Sequence, residues 1–259
     1  MTRRHLGFAC EGAMLAATLD AAPGTTGLVI VSGGNEVRSG AWAGQALLAA
    51  EIAAAGFPVL RFDRRGVGDS DGPNGGFRTS GPDIAAALCA FREVSPNLTR
   101  IVAFGNCDAA SALMLGGGTG CDALTLSNPW TIESDDGDQA PPPEVVRAHY
   151  RQRLSDPRAL IRLLTGKVSP GKLIASLRDA MGPPPPPSSL AQDMAAGLER
   201  FAGPVTILLA ERDRTAQAFL AAWDKQDARL RTCPGASHSY VEATARDWLR
   251  EQLLTVLRD

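Results

Sequence analysis

The chain has 259 residues, of which 44% are hydrophobic and 21% are charged, and its formal net charge is -2 at pH 7. This near-neutral balance excludes a nucleic-acid binder that acts through bulk charge. No apolar run approaches the roughly 20 residues that a membrane helix requires, and none follows the first arginines as in a signal peptide. We therefore expect a cytoplasmic protein that neither binds nucleic acid nor inserts into a membrane.

Short apolar runs bounded by turn residues predict strands, and alanine-rich amphipathic stretches between them predict helices. The first two runs, 6–10 and 14–19, flank Glu11-Gly12 and predict an antiparallel hairpin at a sheet edge. The later runs are rich in Val, Ile and Leu, as in strands covered on both faces, and lie at 28–31, 59–62, 101–104, 123–126, 205–209 and 229–232. Helical patterns lie at 41–55, 83–94, 108–115 and 240–257. This alternation predicts an α/β fold with a mostly parallel central sheet and helices on both faces.

The alternation is interrupted between 131 and 203. This segment has an acidic stretch, three prolines at 141–143, helical patterns and five prolines at 183–187. Proline runs form stiff, extended spacers, and the periodic Leu and Ile indicate helices that pack. We predict a core formed by 1–130 and 204–259, with 131–203 inserted as a helical cap.

A candidate nucleophile follows the predicted strand at 101–104. The segment Gly105-Asn-Cys107-Asp-Ala109 places Cys107 between a buried strand and a helix, flanked by small residues. This is the strand–turn–helix pattern that lifts a nucleophile above the sheet edge, with cysteine where serine usually stands. The positive end of the following helix favours a thiolate at Cys107. Asp108 is unusual beside it, and we expect its side chain to point away.

A thiol nucleophile needs a base, and the base needs a residue that orients it. His238 lies in a small-residue loop after the last strand, at the sheet edge where such folds place their sites. The chain's other histidines are His5, near the terminus, and His149, in the predicted cap. Asp213, just after the strand at 205–209, is the favoured orienting acid. Glu211 and Glu133 remain alternatives.

The loop after the first central strand, Ser32-Gly-Gly34-Asn35, is placed to supply an oxyanion donor. Glycines let the backbone approach a substrate closely. We assign one donor to the Asp108 amide and the other to Gly34, with Asn35 as the alternative. The Gly- and Asp-rich loop at 62–72 is interpreted as scaffold.

The five cysteines are odd in number, widely spaced and without a CxxC pair. This pattern argues against a disulfide framework and a zinc site. The predicted chemistry also requires no metal and no organic cofactor.

These motifs resemble a known family. The string FDRRGVGDSDG at 62–72 resembles the FD-x-RG-x-GDS-x-G loop of α/β-hydrolases, and the Cys107, Asp213 and His238 segments follow that family's order. The strings at 31–40, 105–112 and 128–131 are similar to the exosortase A system-associated hydrolase type 1 group. That resemblance implies that the gene lies among bacterial exopolysaccharide and protein-sorting genes, and it does not indicate a substrate.

The resemblance implies the α/β-hydrolase fold and a Cys107–His238–Asp213 triad that hydrolyses a small-molecule carboxylic ester or thioester through a thioacyl intermediate. Acyl transfer on the same site and a non-catalytic binding protein on a hydrolase scaffold remain alternatives. The sequence leaves the oligomeric state open.

Overall fold

An eight-stranded sheet runs through the part of the chain that the computed structural model describes, residues 2–132 and 188–259. Its spatial order is β1-β2-β4-β3-β5-β6-β7-β8. The strands are β1 (Thr2–Cys10), β2 (Ala13–Ala21), β3 (Thr26–Val31), β4 (Val59–Phe62), β5 (Arg100–Asn106), β6 (Ala123–Ser127), β7 (Val205–Ala210) and β8 (Leu230–Cys233).

The predicted hairpin forms the sheet edge. β1 and β2 pair antiparallel from Thr2 opposite Ala21 to Cys10 opposite Ala13, and β2 also pairs antiparallel with β4. From β4 to β8 the neighbouring strands are parallel, so their carboxyl ends meet at one edge. The predicted fold class, an α/β-hydrolase fold with a mostly parallel sheet and an N-terminal hairpin, is confirmed.

Helices cover both faces of the sheet because the central strands present apolar side chains to both sides. The helices in the described residues are α1 (Gly44–Ala54), α2 (Gly81–Val94), α3 (Asp108–Leu115), α4 (Ser189–Glu199), α5 (Arg214–Ala222) and α6 (Ala243–Arg258). One core joins α1 and α6 to the sheet, and a second joins α2, α3, α4 and α5 to the opposite face. The sequence patterns missed α5.

The segment after the five prolines returns to the core. Leu190, Met194 and Leu198 of α4 are buried in the same core as α3. The helical patterns predicted within 133–187 lie outside the described residues, so the cap and its boundaries stay predictions. Among the helices that the structure describes, none is long and apolar enough to cross a membrane.

Candidate active site

Cys107 lies at a sharp turn between β5 and α3. Its backbone has φ 62° and ψ -130°, a conformation that L-residues rarely adopt and that clusters at functional sites. The turn needs small neighbours: a Cβ at Gly105 would lie 2.8 Å from the backbone nitrogen of Ala110. The Cys107 amide donates to the Ser127 carbonyl at 2.9 Å, which ties the turn to β6. The thiol is partly exposed at the carboxyl edge of the sheet.

His238 and Asp213 come together at the same edge. Nδ1 of His238 lies 2.8 Å from Oδ2 of Asp213, and the Cys107 side chain is close enough to the imidazole to affect its pKa. Because Asp213 occupies Nδ1, Nε2 is the nitrogen left for the sulfur. The hydrogen bond that the ring donates to Asp213, followed by the interaction with Cys107, raises the pKa of His238 to about 10 against the opposing effect of burial.

Asp213 has a second structural role at the start of α5. Its carboxylate accepts from the amides of Thr215 at 3.1 Å and Ala216 at 3.2 Å, as an N-cap residue does. These bonds fix the carboxylate, which is almost fully buried. The short helix that the sequence patterns missed therefore holds the acid that they favoured.

The alternative acids are placed differently. Glu211 accepts from the Gly235 amide at 2.7 Å and so holds the loop that leads to His238. Glu133 lies outside the described residues, as does His149. His5 lies in β1, where its Nδ1 is 3.1 Å from Oγ1 of Thr18.

Asn128 is a positioning residue that the sequence patterns did not single out. It entered only as the first residue of the string at 128–131. It is fully buried and has φ 45°. Its amide nitrogen donates to Oδ1 of Asn106 at 2.9 Å and to the His238 carbonyl at 3.3 Å, while its oxygen accepts from the Ala210 amide at 2.8 Å. One side chain thus joins the ends of β5, β6 and β7 to the histidine loop. The Asn-Pro pair directly after an apolar run was the signal that could have found it.

The loop predicted to supply an oxyanion donor lies beside the sharp turn at Cys107. The Gly34 amide donates to Oδ1 of Asp108 at 2.6 Å, so the Asp108 side chain turns toward this loop. Arg64, which is buried, donates to the Gly34 carbonyl, and its Nη2 lies 3.7 Å from Oδ2 of Asp108. The Asn35 side chain accepts from Asn74 at 2.8 Å, on the exposed side of the loop.

The loop at 62–72 is held together by its own polar groups. Asp63 is fully buried and accepts from the amide of Asp69 at 3.1 Å, and Ser70 donates to the Asp63 carbonyl at 2.7 Å. This agrees with a scaffold role. Arg64 goes beyond that interpretation, since it reaches from this loop to Gly34.

The remaining cysteines are placed apart from this arrangement. Cys10 and Cys233 are buried, and desolvation raises the pKa of both thiols. Burial also raises the pKa of Cys121 to about 12. Cys89 is exposed on α2.

The fold and the arrangement of thiol, imidazole and carboxylate at its strand ends define the α/β-hydrolase class of proteins. A family model described as the alpha/beta hydrolase family matches residues 28–252. The chain belongs to the alpha/beta hydrolase family. Among curated protein sequences, none matches the chain significantly.

Solved structures with the same fold are distant in sequence. The esterase Pf2001 of Pyrococcus furiosus has a TM-score of 0.62 and 13% identity, covering 99% of this chain and 90% of its own. XC6422 of Xanthomonas campestris, described as an α/β serine hydrolase without lid, has a TM-score of 0.59 and 15% identity, covering 100% and 94%. Est1E of Butyrivibrio proteoclasticus, solved with ferulic acid bound, has a TM-score of 0.59 and 18% identity, covering 98% and 100%.

Proposed function

We propose that the chain is an acyl hydrolase that cleaves a carboxylic ester or thioester through a covalent intermediate on Cys107. The observation that carries this proposal is the position of His238, whose imidazole is hydrogen-bonded to Asp213 and close enough to Cys107 for that side chain to raise its pKa. Family membership and the esterases among proteins of the same fold support ester hydrolysis as the reaction class.

The acylation step begins from a thiolate. His238 takes the proton of the Cys107 thiol, and the raised pKa of the imidazole favours this transfer at neutral pH. The sulfur attacks the carbonyl carbon, and the π electrons move to the carbonyl oxygen. As the tetrahedral intermediate collapses, the bond to the leaving group breaks and His238 gives that group its proton.

Deacylation reverses the proton movements. Neutral His238 takes a proton from water, and the resulting hydroxide attacks the thioester carbonyl. The carbon–sulfur bond then breaks, and the acid product leaves with thiolate and imidazolium restored. Asp213 fixes the Nδ1–H tautomer throughout and stabilises the positive charge on the ring.

The oxyanion of both steps needs backbone donors close to Cys107. We assign the Asp108 amide, at the start of α3, and the Gly34 amide, with Asn35 as the alternative on the same loop. Gly34 serves only after the Asp108 carboxylate has released its amide, because one N–H cannot satisfy two acceptors in line.

Mass spectrometry of the acyl-enzyme tests the proposal directly. Incubation with p-nitrophenyl acetate, followed by acid quench, is expected to leave one acetyl group on Cys107. The Cys89→Ala variant is the matched control, because Cys89 is an exposed cysteine on α2. An acetyl group that survives in Cys107→Ala, or turnover unchanged in that variant, removes Cys107 from the mechanism.

We further propose, from the strings at 31–40, 105–112 and 128–131, that the chain is a member of the exosortase A system-associated hydrolase type 1 group. A genomic survey tests this assignment. Chains that share all three strings are expected beside exosortase genes, and their random distribution would contradict it.

A further inference from the structure

A cavity of about 280 Å³ adjoins the candidate active site on the face of the sheet covered by α1 and α6. Its wall includes Asn106 and Ser239, the residues next to Cys107 and His238 in the chain. Glu36 also lines it, and the charges of Glu36 and His238 interact. The wall thus contains the chain neighbours of both reacting groups and a carboxyl group that interacts with the imidazole.

The wall of the cavity is mainly apolar. It is formed by side chains from β5, α1 and α6 and from the loops before the two helices, among them Trp42, Leu47, Leu48, Phe104, Tyr240 and Leu249. An apolar cavity of about 150 Å³ accommodates benzene, so this one has room for an apolar group about twice that size. Trp42 and Leu47 lie at its edge and remain 40% and 49% exposed.

The turn that carries Trp42 is held in a strained conformation. Trp42 and Ala43 have φ 47° and φ 62°, in the left-handed region that L-residues rarely occupy. The following position must be glycine, since a Cβ at Gly44 would lie 2.7 Å from the indole ring. Such strain persists only where the surroundings enforce it, and it clusters at functional sites.

Polar contacts enforce this turn. The Glu36 carboxylate accepts from the Ala41 amide and from Nε2 of Gln45, both at 3.1 Å, and Gln45 accepts from the Ser32 hydroxyl at 3.0 Å. On the other side, the Arg246 guanidinium lies 5.3 Å from the centre of the Trp42 ring. The indole is thus fixed as one wall before any ligand binds.

We infer that this cavity binds an uncharged apolar chain of the ester, and that Trp42 and Leu47 determine how long this chain can be. The inference rests on the proposed function, because the apolar chain belongs to the ester whose carbonyl reacts with Cys107. The partly buried carboxyl group of Glu36 disfavours an anionic group in the cavity, and the Arg246 guanidinium in the wall disfavours a cationic one. The apolar chain can belong to the acyl group or to the alcohol, and the experiment distinguishes these two cases.

Two ester series test the inference. One varies the acyl group, from p-nitrophenyl acetate to the butyrate, octanoate and dodecanoate. The other varies the alcohol, from methyl to butyl, octyl and dodecyl acetate. In one series, kcat/KM is expected to rise by up to about fourfold per CH₂ group as far as eight carbons, and then to fall. Two flat series overturn the inference.

Leu47→Trp fills the edge of the cavity. This variant is expected to reduce the preference for octanoate over acetate in the acyl series, or for octyl over methyl in the alcohol series, at least tenfold. Trp42→Ala is expected to shift the optimum to longer chains. The matched control is Met14→Trp, a substitution at another exposed apolar residue, in β2, outside the cavity wall. A preference unchanged in both cavity variants overturns the inference even when ester turnover is established.

Direct binding separates this inference from the hydrolase mechanism. Octan-1-ol is titrated into Cys107→Ala and into the double variant Cys107→Ala, Leu47→Trp, with the heat of binding as readout. Binding that is weakened at least tenfold in the double variant supports the cavity site whether or not the chain hydrolyses esters. Equal affinity in the two proteins, or no binding to Cys107→Ala, overturns it.

Discussion

The Asp108 carboxylate lies 2.6 Å from the amide nitrogen of Gly34, which is the group assigned to receive the oxyanion. The carboxylate thus stands where a substrate oxygen must bind. Arg64 supports both partners, since its guanidinium contacts the Gly34 carbonyl and lies 3.7 Å from the other carboxylate oxygen. A hydrogen bond to a charged acceptor is among the stronger ones in proteins, so the substrate must displace a favourable contact.

Removal of this carboxylate is therefore expected to strengthen binding of an aldehyde inhibitor. Asp108→Ala frees the Gly34 amide, and the hemithioacetal oxygen formed on Cys107 then gains that donor without competition. The dissociation constant is expected to fall about tenfold, with an intermediate change in Asp108→Asn, whose neutral oxygen still accepts.

The control for the change in charge is Asp247→Asn, because Asp247 has a 67% exposed side chain on α6. Thermal melting reports whether the loop at Gly34 depends on Asp108. Weaker aldehyde binding by a folded Asp108→Ala would mean that the carboxylate positions the loop and does not compete for its amide.

Asp213→Asn is expected to lower the pKa of His238 from about 10 toward its ordinary value of 6.5, because the hydrogen bond to the Asp213 carboxylate is the largest cause of the raised pKa. Proton NMR of the ring measures this shift. Turnover is expected to fall by two or more orders of magnitude, as the ring loses its fixed tautomer.

The variant also separates the two roles of Asp213. Asparagine is a good N-cap, so Asp213→Asn is expected to keep the stability of α5, while Asp213→Ala costs about 1 kcal/mol in the free energy of unfolding. Glu211→Gln is the matched comparison. A larger loss of turnover in Glu211→Gln than in Asp213→Asn would transfer the acid role to Glu211.

Cys107 is expected to be the first cysteine alkylated by iodoacetamide at pH 7. The imidazolium of His238 stabilises its thiolate, whereas desolvation raises the pKa of the thiols of Cys10, Cys121 and Cys233. Peptide mapping over time gives the order of modification. Faster labelling of the exposed Cys89 than of Cys107 in the folded protein would contradict the ion pair.

The stability of the protein is expected to depend on pH through His238. Its pKa is higher in the folded chain, about 10, than the ordinary 6.5. Its stabilising contribution is therefore complete below pH 6.5 and is lost as the pH rises through about 10. Urea unfolding of the wild type and His238→Gln measures this. The stability difference should shrink between pH 7 and 10, and a constant difference contradicts the raised pKa.

The local elements follow from the sequence, because short-range physics determines them. Runs of Val, Ile and Leu bounded by turn residues give the strands, and the small residues around Cys107 give the sharp turn into α3. Chain order and the rule that parallel strands end at one edge then place Cys107, Asp213 and His238 together.

Only the tertiary structure decided which groups bond across that edge. Asn128 joins three strand ends to the histidine loop, Glu211 binds Gly235 instead of the imidazole, and the Asp108 side chain turns to Gly34. Each of these is a contact between residues at least 20 positions apart, and its geometry depends on rotamers and on loops that pack together. Residue type and periodicity predict the element on which a side chain lies. The residues that pack around it in space determine its conformation and its hydrogen-bond partners.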